Sequence, residues 1–379
     1  MRWGTYFAVL SAVLSVGLTL GVSMPLVSLR LEAWGYGSFA IGVMAAMPAI
    51  GVLVGASLSS RLAARLGTVN LMRLCLLAGA VSIGLLALLP YYPVWLLLRL
   101  VIGVILTIVF ILGESWINQI VVEAWRGRLV ALYGSSYALS QLAGPLLLGV
   151  VGSADDLGFW IGVGLMLLAP LALIGRSGAP SSEAGAVSLR DLVGFCKSLP
   201  VIAWGIALFA AFEAMILTLL PVYCLQQGFS AELALFMVST VVVGDAVLQL
   251  PIGALADRMS RRTLFSGCAV TLLGSSLLIP LLMQTPLIWP LWVLFGASAG
   301  GLFTLSLILI GERFRDDALV RANAHVAQLW GIGCLIGPLL AGAGGQWVSG
   351  HALPLLMAAG AFGLVVLVRR PNAFEPAAA

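Results

Sequence analysis

The sequence predicts an all-α membrane protein of twelve transmembrane helices arranged as two parallel six-helix repeats. Three observations predict it: an extremely apolar composition, twelve apolar runs of bilayer length, and landmarks that recur about 196 residues apart. Hydrophobic residues make up 61% of the 379 and charged residues 9%, with a mean hydropathy of +1.11. A soluble domain carries about 25% charge.

A helix needs roughly 20 apolar residues to cross a bilayer. Runs of that kind fall at 5–29, 39–59, 70–90, 94–117, 129–151 and 157–175, then at 200–224, 232–254, 263–284, 287–311, 321–344 and 351–369. The first follows only Met1, Arg2, Trp3 and Gly4, exceeds a signal-peptide core and lacks a small-residue cleavage site, so it is expected to persist as the first helix. The longest polar interruption runs from Arg176 to Lys197 near the midpoint. The expected organisation is therefore an N-terminal six-helix bundle (1–175), a linker (176–199) and a C-terminal bundle (200–379).

Short loops rich in Lys and Arg stay on the cytoplasmic side. Of the 19 such residues, Arg30 falls in a loop of one side, Arg99 falls within a run, and the other 17 fall on the opposite side. Both termini are thus expected in the cytoplasm, in a multi-pass inner-membrane protein. The net charge of +4 does not imply nucleic acid, because the basic residues sit in short loops without a basic helix or an aromatic RNA-binding motif. Cys75, Cys196, Cys224, Cys268 and Cys334 are dispersed without CxxC spacing, and His325 and His351 stand apart, so neither metal nor cofactor is expected.

The halves repeat in the same direction. Pro25 and Pro221 lie 196 apart, Glu114 and Glu312 198, and Pro145 and Pro338 193. An even number of spans between equivalent points makes the repeats parallel. Residues 253–262, GALADRMSRR, have a degraded counterpart in which Leu58, Ser60 and Arg61 stand 197 residues before Leu255, Asp257 and Arg258. Beside Asp257 lie Arg258, Arg261 and Arg262, a set that can make ion pairs in one helix packing and break them in another. Positive-inside topology alone also explains the arginines, though not Asp257. Glu114 and Glu312, at cytoplasmic ends of their runs, are either partners in such latches or solvated caps.

Intramembrane charge is costly, at least ~2.5 kcal/mol at the bilayer centre, and marks function by default. Glu213 and Asp245 stand mid-run on consecutive runs, and Arg99 stands in the outer third of the fourth. The two acids form the expected proton-coupling or substrate site; the alternative is helix-packing hydrogen bonds, with Gln249 one turn on from Asp245. Arg99 is expected to hold a carboxylate or an anionic substrate group. Gly144–Pro145 and Gly337–Pro338, each with a small residue four before the glycine, are hinge candidates, with close packing as the alternative.

GALADRMSRR matches the loop signature of the major facilitator superfamily, and the resemblance covers essentially the whole chain. Arg99 and Gly103 resemble its RxxxG element, and SQLAGPLLLG at 140–149 resembles the fifth-helix signature of its drug and metabolite antiporters. Gly113, Glu114, Arg126 and Gly127 resemble a fourth-helix end that pairs with the loop arginines. SFAIG at 38–42 and GESWIN at 113–118 suggest the YcaD-type group within it. Ser60 and Ala56 depart from the acid and glycine of the signature. The resemblance implies an alternating-access secondary transporter without a cofactor, monomeric in the lipid bilayer, with a small-molecule substrate and protons as partners. It also implies that Tyr137, Gln141, Gln328 and Trp330 are candidates for lining the central cavity.

The antiporter-like signature favours proton-coupled efflux; proton-coupled uptake is the alternative. No GxxxxGK[ST] loop is present for a primary pump, no GxSxG or His–carboxylate cluster for an enzyme, and no soluble output domain for a receptor.

Overall fold

The computed structural model describes residues 3–121, 125–175, 189–256 and 258–370. Thirteen α-helices and no strand occur among them. The first six are α1 (Trp3–Ala33), α2 (Ser38–Leu66), α3 (Thr68–Leu88), α4 (Tyr92–Ile120), α5 (Arg126–Val151) and α6 (Leu157–Ala172). After the short α7 (Leu189–Ser198) come α8 (Pro200–Gln226), α9 (Ala231–Ala256), α10 (Arg261–Leu282), α11 (Ile288–Arg313), α12 (Asp316–Trp347) and α13 (Ala352–Arg369). Omitting α7, the twelve match the expected runs in order, and ten are long and apolar enough to cross a membrane. Of the other two, α6 has 16 residues, and α5 carries Ser135, Ser136, Ser140 and Gln141 among its apolar residues.

Hydrocarbon offers no hydrogen bonds, so each segment must satisfy its backbone internally, and helix is the local solution. The helices outrun the apolar runs because turn formation continues into polar residues at the membrane surface. Thus α2 carries on through Arg61, Ala63, Ala64 and Arg65, good helix formers, until Gly67 with φ 77° ends it. Side chains such as Leu97, Val150, Leu168 and Leu281 stay exposed, as lipid-facing residues do, while Trp95, Trp116, Trp292 and Phe265 are fully buried.

The linker was expected to be a polar interruption, yet α7 forms within it. Its sequence LRDLVGFCKS is amphipathic: Leu192 and Phe195 are buried, Asp191 and Lys197 exposed. Phe195 packs against His325, with ring centroids 5.1 Å apart.

The chain forms two compact units, one of residues 1–30 and 47–186, the other of 31–46 and 187–379. In the first, α3 packs on α4 and α6, α1 crosses α5, and α2 crosses α4. In the second, α8 packs on α12, α9 on α11, and α10 on α11 and α13. Residues 31–46, from the end of α1 into α2, belong to this unit. Phe39 packs on Trp347 at 4.8 Å, Gln226 donates to Glu32 Oε1 and to Ser38 Oγ at 3.3 Å each, and Gly42 lies against the Pro338 carbonyl.

Candidate functional site

The crossing of α9 and α11 is built from glycine. A Cβ at Gly244 would lie 2.7 Å from Val293 Cα, and one at Gly296 2.9 Å from the Asp245 nitrogen, so neither backbone tolerates a side chain there. One turn beyond Gly296 is Gly300, where a Cβ would lie 2.9 Å from Asp245 Cγ and closer still to its Oδ1. The Asp245 carboxylate therefore occupies the space Gly300 leaves vacant. It accepts a hydrogen bond of 2.7 Å from Gln249 Nε2, the one-turn contact anticipated as the packing alternative.

Glu213, at the middle of α8, lies within electrostatic range of Asp245 and of Cys334 on α12. Cys334 Sγ in turn sits 3.5 Å from the Ala210 carbonyl. Both acids lie deep among protein atoms yet keep part of their surface accessible. One turn before Glu213, Phe209 stacks on Phe303 of α11 at 4.7 Å, and Trp330 of α12 stands edge-on to both, at 5.6 and 5.2 Å. Four helices of the second unit thus bring two carboxylates, an amide, a thiol and three rings together.

The first unit repeats this crossing with different chemistry. At the repeat spacing of 197, Pro48 stands opposite Asp245 and Gly103 opposite Gly300, and Gly103 lies against the Pro48 backbone. One turn before Gly103 is Arg99, 1% exposed, whose Nε and Nη1 have no hydrogen-bond partner among the described residues. A buried guanidinium with unmet donors is expensive.

The remaining expected residues fall in three places. At the helix ends, Arg261 donates through Nε and Nη2 to Glu312 Oε1 at 3.1 and 2.9 Å, a pair half exposed to solvent. Arg262 donates instead to the Val368 and Arg370 carbonyls, capping α13; Arg73, which the sequence did not single out, donates likewise to the Leu173 carbonyl after α6. Arg61, Glu114 and Arg258 are exposed, and Asp257 lies outside the described residues. At the GP pairs, Gly144 lies against Gly21 of α1, and Gly337 lies 2.8 Å from Ala211 Cα of α8 by its would-be Cβ, so each marks a close crossing inside its own unit. Among the cavity candidates, Tyr137 packs on Phe110 at 5.1 Å, Gln141 lends its carbonyl to the Gly21 contact, and Gln328 meets His325 Nδ1 at 3.0 Å. Trp330 alone of the four joins the carboxylate cluster.

Arg30 and Glu32, two residues apart in sequence, take separate partners. Arg30 pairs with Asp156 at 2.9 Å and with the Ser153 carbonyl at 3.1 Å, whereas Glu32 meets Gln226. Phe209, Phe303, Gly300 and Cys334 escaped sequence reasoning. The Gly300–Gly301 doublet inside an apolar run was the one available signal, since glycine there implies close approach.

The family model described as Major Facilitator Superfamily matches residues 9–244 and 228–378. The uncharacterized MFS-type transporter YfkF of Bacillus subtilis is 25% identical over 355 residues, covering 89% of this chain and 88% of that one. The uncharacterized MFS-type transporter YcaD of Escherichia fergusonii is 27% identical over 372 residues, covering 95% and 94%. Among solved structures, the nucleoside transporter NupG aligns with a TM-score of 0.77 at 15% identity, covering 97% of this chain and 98% of that one. A D-xylose–proton symporter aligns with a TM-score of 0.74 at 16% identity, covering 98% of each.

Proposed function

The chain belongs to the major facilitator superfamily and is a multi-pass membrane transporter, and from that premise we propose that it carries out proton-coupled efflux of a small solute. The observation that carries the reading is the pair Glu213 and Asp245, mid-helix carboxylates within electrostatic range of one another with no basic partner among the described residues. Such groups can take up and release protons as the bundle alternates between two packings, and protonation removes the charge that makes one packing costly. Asp245 is held by Gln249 and Gly300, so its position is fixed by the crossing of α9 and α11 rather than by a loop.

The Arg261–Glu312 pair supports a second part of the proposal, a cytoplasmic latch that also includes Asp257, Arg258, Arg262, Arg61 and Glu114. The halves that move are 1–175 and 200–379, joined by the linker 176–199, in an inner-membrane monomer with both termini cytoplasmic. The antiporter-like SQLAGPLLLG and its partner GCLIGPLLAG at 333–342 support efflux over uptake.

Proteoliposomes containing only this protein test the reading. An imposed pH gradient should drive accumulation of at least one solute from a panel of cationic, neutral and anionic compounds. Accumulation in the direction opposite to proton flow indicates efflux, parallel accumulation indicates uptake, and no gradient-driven movement across the panel would refute proton-coupled transport.

A further inference from the structure

We propose that the second unit binds an organic cation, held by the Glu213 carboxylate against the rings of Phe209, Phe303 and Trp330, with Asp245 supplying a second negative charge. The inference rests on the transporter reading and adds the charge and shape of the solute.

The charge inventory comes first. Every described Lys or Arg of this unit lies in a loop or within the first two turns or the last turn of a helix. Two of them are already engaged, Arg261 with Glu312 and Arg262 with carbonyls at the end of α13. Glu213 and Asp245 stand instead at mid-helix, and the one polar contact to either carboxylate among the described residues is the neutral amide of Gln249. Two neighbouring carboxylates without a counter-charge must be neutralised from outside the chain. A proton does this when the site is empty, and a cationic solute does it when the site is filled.

The aromatic groups decide what kind of cation fits. Phe209 precedes Glu213 by one turn on α8, and Phe303 follows Gly300, the glycine that the Asp245 carboxylate packs against, by one turn on α11. Phe303 and Trp330 keep accessible surface, as do the acids, while Phe209 is buried. Ring faces attract cations through their quadrupole and provide apolar contact area, a combination that suits an organic ammonium or phosphonium better than a hydrated metal ion. An anion would meet two like charges. A neutral solute would leave the neutralising to protons and gain nothing from either charge.

The experiment uses the full-length protein in nanodiscs, with empty nanodiscs as the baseline, and two probes of nearly the same shape and opposite charge, tetraphenylphosphonium and tetraphenylborate. The phosphonium should bind saturably and the borate should not. Glu213→Gln should weaken phosphonium binding by roughly tenfold or more, and Trp330→Ala by several-fold, while Trp330→Phe retains it and shows that the fold survives at that position. Equal binding of the borate, or full phosphonium binding by a folded Glu213→Gln variant, overturns the inference. If the proteoliposome panel reveals a transported neutral or anionic solute and phosphonium does not bind, the cation site is wrong and the transporter reading stands. If phosphonium binds as expected and no solute crosses, the site stands and the proton-coupled reading fails.

Discussion

Replacing Gly300 with alanine should separate function from stability. The new Cβ would claim the space of the Asp245 carboxylate, 2.9 Å from Cγ and nearer to Oδ1, so Asp245 must rotate away and lose its 2.7 Å bond from Gln249. Losing a hydrogen bond to a charged group costs about 1.5–3 kcal/mol. Alanine in a helix interior returns about 0.5–1 kcal/mol relative to glycine. The net cost is therefore only about 0.5–2.5 kcal/mol, because the obstruction is the end of a rotatable side chain. Gly103→Ala differs, since its Cβ would meet Pro48 Cα at 2.8 Å and Pro48 C at 2.9 Å. Backbone cannot rotate aside, α2 and α4 must part, and the cost should reach or exceed the upper end of the 1–3 kcal/mol typical of overpacking. Gly267→Ala, with nothing within 4 Å of its Cβ, serves as the neutral control. Thermal unfolding of the purified variants and solute exchange in liposomes measure the two quantities. The expected order of melting is Gly267→Ala, then Gly300→Ala, then Gly103→Ala, with exchange lost at Gly300→Ala despite its folding. Wild-type exchange by Gly300→Ala, or Gly103→Ala melting with the control, would refute the reasoning.

Three further outcomes follow from the same geometry. Glu312→Gln should shift melting by no more than about 1 kcal/mol equivalent, because the Arg261 pair is half exposed, yet slow transport if the pair is a latch; unchanged transport reduces it to a surface contact. Arg99→Met should leave stability equal or raised, since it removes a buried guanidinium with two unmet nitrogens, while transport falls; a large loss of stability would show that Arg99 holds the first unit together. In a cysteine-free background, single cysteines at positions 182 and 155 should react with an impermeant maleimide from opposite membrane faces, and labelling from the same face would overturn the proposed topology.

The span count and order were legible because hydrocarbon imposes one local rule on every segment, and Glu213, Asp245 and Arg99 stood out because charge is so rare there. The helix α7 was not legible, since a ten-residue amphipathic stretch beside Ser181, Ser182 and Gly185 reads as polar linker until Leu192 and Phe195 find a surface to cover. The neighbours of the two acids were hidden for a related reason. Nothing in an apolar run distinguishes Phe303 or Cys334 from lipid-facing residues, because their placement depends on how α8, α9, α11 and α12 rotate about their own axes. Gly300 and Gly103 needed the crossing itself: equivalent positions in the repeat meet a carboxylate in one unit and a proline backbone in the other.

The coupling role of Glu213 and Asp245 is the central claim, and its most direct test compares net transport with exchange. Liposomes containing wild type, Glu213→Gln or Asp245→Asn are loaded with a pH-sensitive dye and challenged with the solute that the wild type accumulates. Wild type should move protons in exchange for solute. At least one amide variant should lose proton movement and gradient-driven accumulation while still exchanging labelled for unlabelled solute, because the amide keeps the shape of the site but does not titrate. Intact proton-driven accumulation by both variants would contradict the account.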